Sequence, residues 1–256
     1  MSFYGGLDYS SFDQAIHQRR RKAPNDFTSK RHRGAPAAFR IGLVGVHCNA
    51  KLLGRTRIFK GTTMSAIPRI LAFSGSTRKE SFNSKLVAIA AAGALENGAN
   101  VTEINLRDYP LPLFDQDREL VEGPPGPAVI LKELFLQHQG FLISSPEYNS
   151  SVTAVLKNMI DWVSRPVAGE PPLAGFKGKV ASLMSASPGA LGGLRGLVHL
   201  RAILGNIGVI VLPDQIAISK AHEAFDEKQN LTDSKQLASV RALGSQLSET
   251  LKKLTS

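Results

Sequence analysis

The 256-residue chain is 43% hydrophobic and 20% charged, a composition that excludes collagen-like, low-complexity and coiled-coil classes. No stretch reaches the ~18–20 uncharged apolar residues of a membrane span. A single cysteine, Cys48, excludes an internal disulfide framework or a multi-cysteine zinc or iron–sulfur centre. Six histidines are scattered with no metal-ligand spacing, so no protein metal centre is expected. The net charge of +10 is lopsided: residues 1–63 hold 12 Lys/Arg against 3 Asp/Glu, and residues 64–256 hold 19 against 18. The basicity belongs to the first quarter of the chain, and the rest is nearly neutral.

Residues 1–63 show little helical or strand periodicity and carry two basic runs, Arg19 to Lys22 and Lys30 to Arg33. They read as a disordered extension, or as an upstream start with Met64 as the working initiator. A targeting leader is one alternative; Asp8, Asp13 and Asp26 count against it. A nucleic-acid arm is another, because Lys/Arg clusters attract phosphate backbones without sequence specificity. The expected location is cytoplasmic, with organelle targeting the alternative.

From Ile70 onward short apolar runs alternate with amphipathic stretches, the pattern of βα repeats on a parallel sheet. The expected order is a strand over 69–74, a helix over 84–96 and a strand over 101–106. An irregular, proline- and acid-rich loop over 109–126 follows, then a helix over 128–137 and a buried strand over 140–145. Val152, Val155, Leu156, Met159, Ile160 and Val163 have the spacing of one helix face. A strand over 179–185, a helix over 191–204 and a short strand over 209–212 come next. The last helix carries Leu237, Val240, Leu247, Leu251 and Leu254 on one stripe. Five strands interleaved with five helices make a three-layer, doubly wound α/β domain over residues 64–256. Such a domain binds ligands outside the carboxyl ends of its strands, where strand order reverses.

The candidate site is therefore made by the loops after strands one, three and four. In the first, Ser74 to Asn83, a helix N-terminus offers free N–H groups. Ser76, Thr77, Ser81 and Asn83 add neutral donors there, and Arg78 adds a planar cation suited to phosphate. Capping by Ser81 or Asn83 accounts for one residue of this cluster but not for the arginine. Neither Gly-x-Gly-x-x-Gly nor a Walker A spacing occurs, so the loop suits the phosphate of a mononucleotide such as FMN. In the second loop, Ser144 to Ser151, Tyr148 offers an aromatic wall, Glu147 and Asn149 polar edges, and Pro146 a rigid turn. The same letters also suit a helix-capping turn with Ser150 or Ser151 as the cap. In the third, Ser185 to Gly193, small residues permit close backbone approach to a ring.

Together these loops resemble the NADPH-dependent FMN reductase family, in its chromate, quinone and azo-dye reductase branch. The matching segments run from Gly75 to Asn83 and from Ser145 through Val152 and Leu156 to Arg165. The resemblance covers about residues 68–254 and implies a flavodoxin-like, five-stranded parallel sheet. It implies that Ser76, Arg78, Ser81, Phe82 and Asn83 line the FMN phosphate loop. It likewise implies that Pro146, Glu147, Tyr148 and Asn149 border the isoalloxazine ring, with Ser185, Ser187 and Gly189 near its other edge. Glu80 stands where relatives often carry a smaller residue, and it is expected to face solvent. A homodimer or homotetramer is implied as well.

The expected activity is a two-step one. NADPH (or NADH) reduces bound FMN, and a small electron acceptor such as a quinone, flavin, chromate, ferric chelate or azo compound removes the electrons. No side chain need act as nucleophile or base, and residues 64–256 hold neither cysteine nor a Gly-x-Ser-x-Gly elbow. His138, His199 and His222 read as packing or solvent-facing groups, and Trp162 and Arg165 as packing or interface groups. The rival readings are a flavin-binding electron carrier or redox sensor without turnover, a nucleic-acid-associated protein, and a hydrolase.

Overall fold

The computed structural model describes residues 67–255. The readings attached to the basic extension over 1–63 lie outside them. The elements run β1 Arg69–Ser74, α1 Phe82–Glu96, β2 Asn100–Asn105, a 3-10 turn Leu106–Asp108, α2 Gln116–Glu122, α3 Gly126–Gln137, β3 Gly140–Ser144, α4 Ala154–Val163, β4 Val180–Ala186, α5 Leu194–Asn206, β5 Ile210–Ile218 and α6 Ser234–Thr255. The five strands pair in the order β2-β1-β3-β4-β5, every pairing parallel. From β1 the chain turns first to β2 on one side and then crosses to β3 on the other. The strand order therefore reverses between β1 and β3, and their carboxyl ends diverge into a crevice.

The central strands are buried on both faces, as the uninterrupted apolar runs of β1, β3 and β4 require. On one face Ile70, Ala72, Leu142 and Met184 pack with α1 and α6; on the other Leu71, Phe73, Phe141, Ile143 and Leu183 pack with α3, α4 and α5. Edge strand β2 alternates in burial, so its sequence, Asn-Val-Thr-Glu-Ile-Asn, is only half apolar. Among the described residues no helix is long and apolar enough to cross a membrane.

Four expectations need correction. The 109–126 segment is not wholly irregular: α2 forms inside it, capped by the Asp115 carboxylate, which accepts from Asp117 N at 2.9 Å and Arg118 N at 3.3 Å. Asp117 and Glu119 in its first turn favour the positive helix end. The helix buries none of its residues, so no apolar period betrays it. The fifth strand is nine residues long rather than four. Pro213 does not end it, because on an edge strand a missing N–H is tolerated, and the register shifts between Ala181 and Leu183 of β4 to accommodate it. On α4 the buried side comprises Leu156, Met159, Ile160, Trp162 and Val163; Val155 is exposed and Val152 precedes the helix. On α6 the stripe is likewise displaced, with Leu243 buried and Leu254 exposed.

Candidate active site

Strand ladders extended by one residue bring the three loops together. Gly75 N donates to Ser144 O at 2.9 Å, Ser145 N to Met184 O at 2.9 Å, and Ser187 N to Ile218 O at 3.0 Å. Each loop thus leaves the sheet at the same height. Asn83 then locks the arrangement from the first turn of α1. Its Nδ2 donates to Ala186 O at 2.8 Å, and its Oδ1 accepts from Ala186 N at 3.0 Å and from Ser144 Oγ at 2.8 Å. Thr153 caps α4, accepting from Leu156 N at 3.2 Å while donating to Gly75 O at 2.6 Å. The cap expected at Ser150 or Ser151 is therefore Thr153, whose second bond ties α4 to the first loop.

The cavity between the loops is lined by Ser76, Arg78, Ser81, Phe82 and Asn83 from the first. Pro146, Glu147 and Tyr148 come from the second, and Ala186, Ser187 and Pro188 from the third. Three of the expected residues are not in its wall. Asn149 stands at the tip of a tight turn, with φ 51° followed by Ser150 at 66°, closed by paired 3.0 Å bonds between Tyr148 and Ser151. Ser185 is fully buried and donates to Ser145 O at 2.7 Å, bracing the second loop against the third. Gly189 is exposed, and its N–H meets Ser187 Oγ at 3.3 Å. Ala186 and Pro188 were not anticipated; their letters carry no chemical signal, and only the strand end places them here.

The donor set on the first loop fits an anion. Phe82 N–H and Asn83 N–H, in the first turn of α1, have no intrahelical acceptor. Ser81 Oγ accepts from Ser84 N at 3.4 Å and Ser76 Oγ accepts from Arg78 N at 3.2 Å, so both hydroxyls keep a proton to donate. Arg78 is exposed at the rim. The carboxylate on this loop, Glu80, is 80% exposed and turns away to Lys85 at 3.6 Å, as expected. Asn83, by contrast, has its amide committed to the strands, and it offers an anion only its backbone. The cavity is small, about 60 Å³, so a flavin ring could lie only at its rim and not inside it. Larger hollows lie elsewhere, including an apolar groove of about 450 Å³ between Ala128 and Arg165, but no candidate residue reaches it.

Glu147 is the one site residue with a displaced acidity. Burial pushes its carboxyl up, but the Gly196 N–H and the Arg195 guanidinium outweigh this and hold it below the ordinary value. The other displaced groups, His138 and Lys179, lie at the opposite, amino-terminal ends of the strands. His138 is buried and hydrogen-bonded to Leu134 O and Thr102 Oγ1, a packing role as expected. Trp162 also packs, donating to Pro112 O at 2.8 Å. Among the described residues there is no cysteine and no cluster of metal-ligating side chains.

An anion cradle at the β1/β3 reversal of a 2-1-3-4-5 sheet defines the flavodoxin-like class of α/β proteins. Residues 68–223 match the NADPH-dependent FMN reductase family, and the chain belongs to it. It is 35% identical over 173 residues to an NAD(P)H-dependent FMN reductase of Pseudomonas aeruginosa, covering 67% of this chain and 89% of that one. It is 35% identical over 156 residues to a quinone reductase of Escherichia coli, covering 58% and 76%. The flavoenzyme NAD(P)H:(acceptor) oxidoreductase of Paracoccus denitrificans superposes with a TM-score of 0.62 at 25% identity, over 73% of this chain and 98% of that one. The chain is thus an oxidoreductase of the NAD(P)H-dependent FMN and quinone reductase kind.

Proposed function

We propose that this enzyme passes electrons from NADPH through FMN to a small flat acceptor of the quinone class, and that the cavity between the three loops is where FMN sits. The observation that carries this reading is the contrast between the closed floor and the open rim. The floor is a small pocket of N–H and hydroxyl donors. The rim is shallow, with Tyr148 54% exposed beside it and Pro188 opposite. Ser76, Arg78, Ser81 and the first turn of α1 would hold the FMN phosphate, and Pro146, Glu147, Tyr148 and Ser187 would border its ring. FMN held there would supply hydride-accepting and electron-donating chemistry between NADPH and the acceptor. The chain itself anchors the phosphate, orients the ring and leaves one face accessible in turn to NADPH and acceptor. An open rim sets no steric limit on the acceptor, which fits several acceptor types with quinones first.

The test is NADPH consumption by FMN-loaded enzyme with a benzoquinone, a ferric chelate or an azo dye. The quinone should be turned over fastest. A flavin-loaded protein that consumes no NADPH with any acceptor would instead be a carrier or sensor. We further propose that the enzyme is a homodimer or homotetramer, consistent with the exposed Leu120 and Val121 of α2; light scattering of the full chain measures this directly.

A further inference from the structure

The loop that bears Tyr148 is closed by its own Tyr148–Ser151 pair, but that pair does not fix where the loop stands. Its turn is built on two left-handed residues, Asn149 and Ser150, a backbone conformation that serine rarely adopts. What fixes it is the start of α5. Arg195 grips one oxygen of Glu147 with both Nε, at 2.9 Å, and a terminal nitrogen, at 2.6 Å. The backbone N–H of Gly196 donates to the other oxygen at 3.0 Å. One turn further on, His199 Nδ1 lies 2.9 Å from Ser151 Oγ. The side chain of Glu147 is 8% exposed and that of Arg195 is 58% exposed, so the carboxylate is taken out of water while the guanidinium that balances it stands at the surface.

The backbone of α5 is shaped for this contact. A Cβ on Gly196 would lie 3.2 Å from Ser151 O and 3.4 Å from Glu147 Cβ. Gly193, at φ 96°, starts the helix, and a Cβ there would fall 1.8 Å from Ser185 Oγ. Glycine at both places lets the helix end come within hydrogen-bonding reach of the loop. A buried carboxylate that lost its cation would keep only one strong donor and be drawn toward water. Because Glu147 sits between Pro146 and Tyr148, all three wall residues would move with it.

We propose that Arg195 is a positioning residue of the reductase site: through the Glu147 carboxylate it holds the Pro146–Tyr148 wall in the place where a flat ring must lie. The inference rests on the functional reading above for the identity of that ring, but not for the clamp itself. Two readouts on the full chain separate them. The first is hydrogen exchange of the 147–151 amides without flavin. Arg195→Met should raise exchange there about tenfold, the scale expected when a charge-assisted hydrogen bond is lost, while the melting temperature stays within a few degrees of wild type. The second is FMN titration, in which Arg195→Met should weaken binding roughly tenfold and shift the visible circular dichroism of bound flavin. Arg195→Lys, which restores charge but not the fork, should recover part of both.

Adding Glu147→Gln to Arg195→Met should change little further, since both act through one contact. Unchanged exchange in Arg195→Met would overturn the clamp whatever the flavin does. A changed exchange with unaltered FMN affinity and dichroism would overturn its role in the site. A wild-type chain that binds no FMN, with exchange still responding to Arg195→Met, would remove the functional reading and leave the clamp standing.

Discussion

Arg78 and Asn83 sit five residues apart on the same loop, and the structure gives them opposite duties. Arg78 is exposed at the cavity rim with its guanidinium unengaged by any described residue. Its removal should leave the melting temperature within a few degrees, as for most surface substitutions. FMN affinity should fall about ten- to a hundredfold, the scale of a hydrogen bond to a charged group. Asn83 should behave the other way. Asn83→Ala strips partners from Ser144 Oγ and from both backbone groups of Ala186, all buried. It should lower stability by ~2–4 kcal/mol in denaturant melts, since unsatisfied buried groups cost about 1–3 kcal/mol each and partly relax. Equal loss of stability and binding in both variants would contradict this division. From the sequence the two look like members of one polar cluster. Only the partners of each show that one stands at the cavity rim and the other is bound to the sheet.

Glu147 adds a pH dependence at the same scale. Its folded acidity lies below the ordinary value of 4.5, so its contribution is complete above 4.5 and is lost as pH falls through the lower, folded value. Flavin binding in the wild type should weaken as pH falls through that lower, folded value, whereas Glu147→Gln should start weaker and show a flatter profile; parallel profiles would contradict the assignment.

At the level of elements, α1 and α6 pack backbone against backbone through glycine. A Cβ on Gly244 would lie 1.9 Å from Ala90 O. Gly244→Ala must therefore push the two helices apart, and should destabilise by ~2–3 kcal/mol, the upper range for overpacking. Since α1 carries the turn proposed to hold the FMN phosphate, FMN affinity should fall with it; a variant as stable as wild type would show that the helices have slack. This contact was invisible in the apolar stripe read for α6, because glycine carries no hydropathy signal. The buried strands β1, β3 and β4 were legible for the opposite reason: they are covered on both faces, so nearly every letter is apolar. The edge strand β5 was read too short and α2 was missed because their stability comes from a bulge, a cap and ion pairs. Arg165, for instance, holds Glu119 of α2 at 2.7 Å, a pairing 46 residues apart in sequence.

For the whole molecule, both displaced basic groups titrate in the same sense. Burial lowers His138 below 6.5, and burial with the nearby Arg69 lowers Lys179 from 10.5 to about 8. For Lys179 the stabilisation is complete above 10.5 and is lost as pH falls to about 8. Wild type should thus gain stability relative to Lys179→Met between pH 8 and 10.5, measured by urea midpoints; a constant difference would contradict it. Both hydrophobic clusters and all three site loops are drawn from residues 70–251. A chain beginning at Met64 should accordingly fold and bind FMN like the full chain, and an insoluble product would show that the preceding residues are needed.

The lining of the candidate cavity was mostly legible because hydroxyls, a cation and a helix start crowd one short segment, whereas Asn149, Ser185 and Gly189 fall outside the wall. The α5 clamp was not, because Arg195 and Glu147 are 48 residues apart and neither letter announces the other. The most direct test of the central claim is an anaerobic visible spectrum of the full chain reconstituted with FMN, recorded before and after NADPH and then a quinone. The account predicts a protein-bound flavin spectrum that bleaches with NADPH and returns with the quinone. A chain that fails to bind FMN, or one whose bound flavin NADPH leaves oxidised, would contradict it.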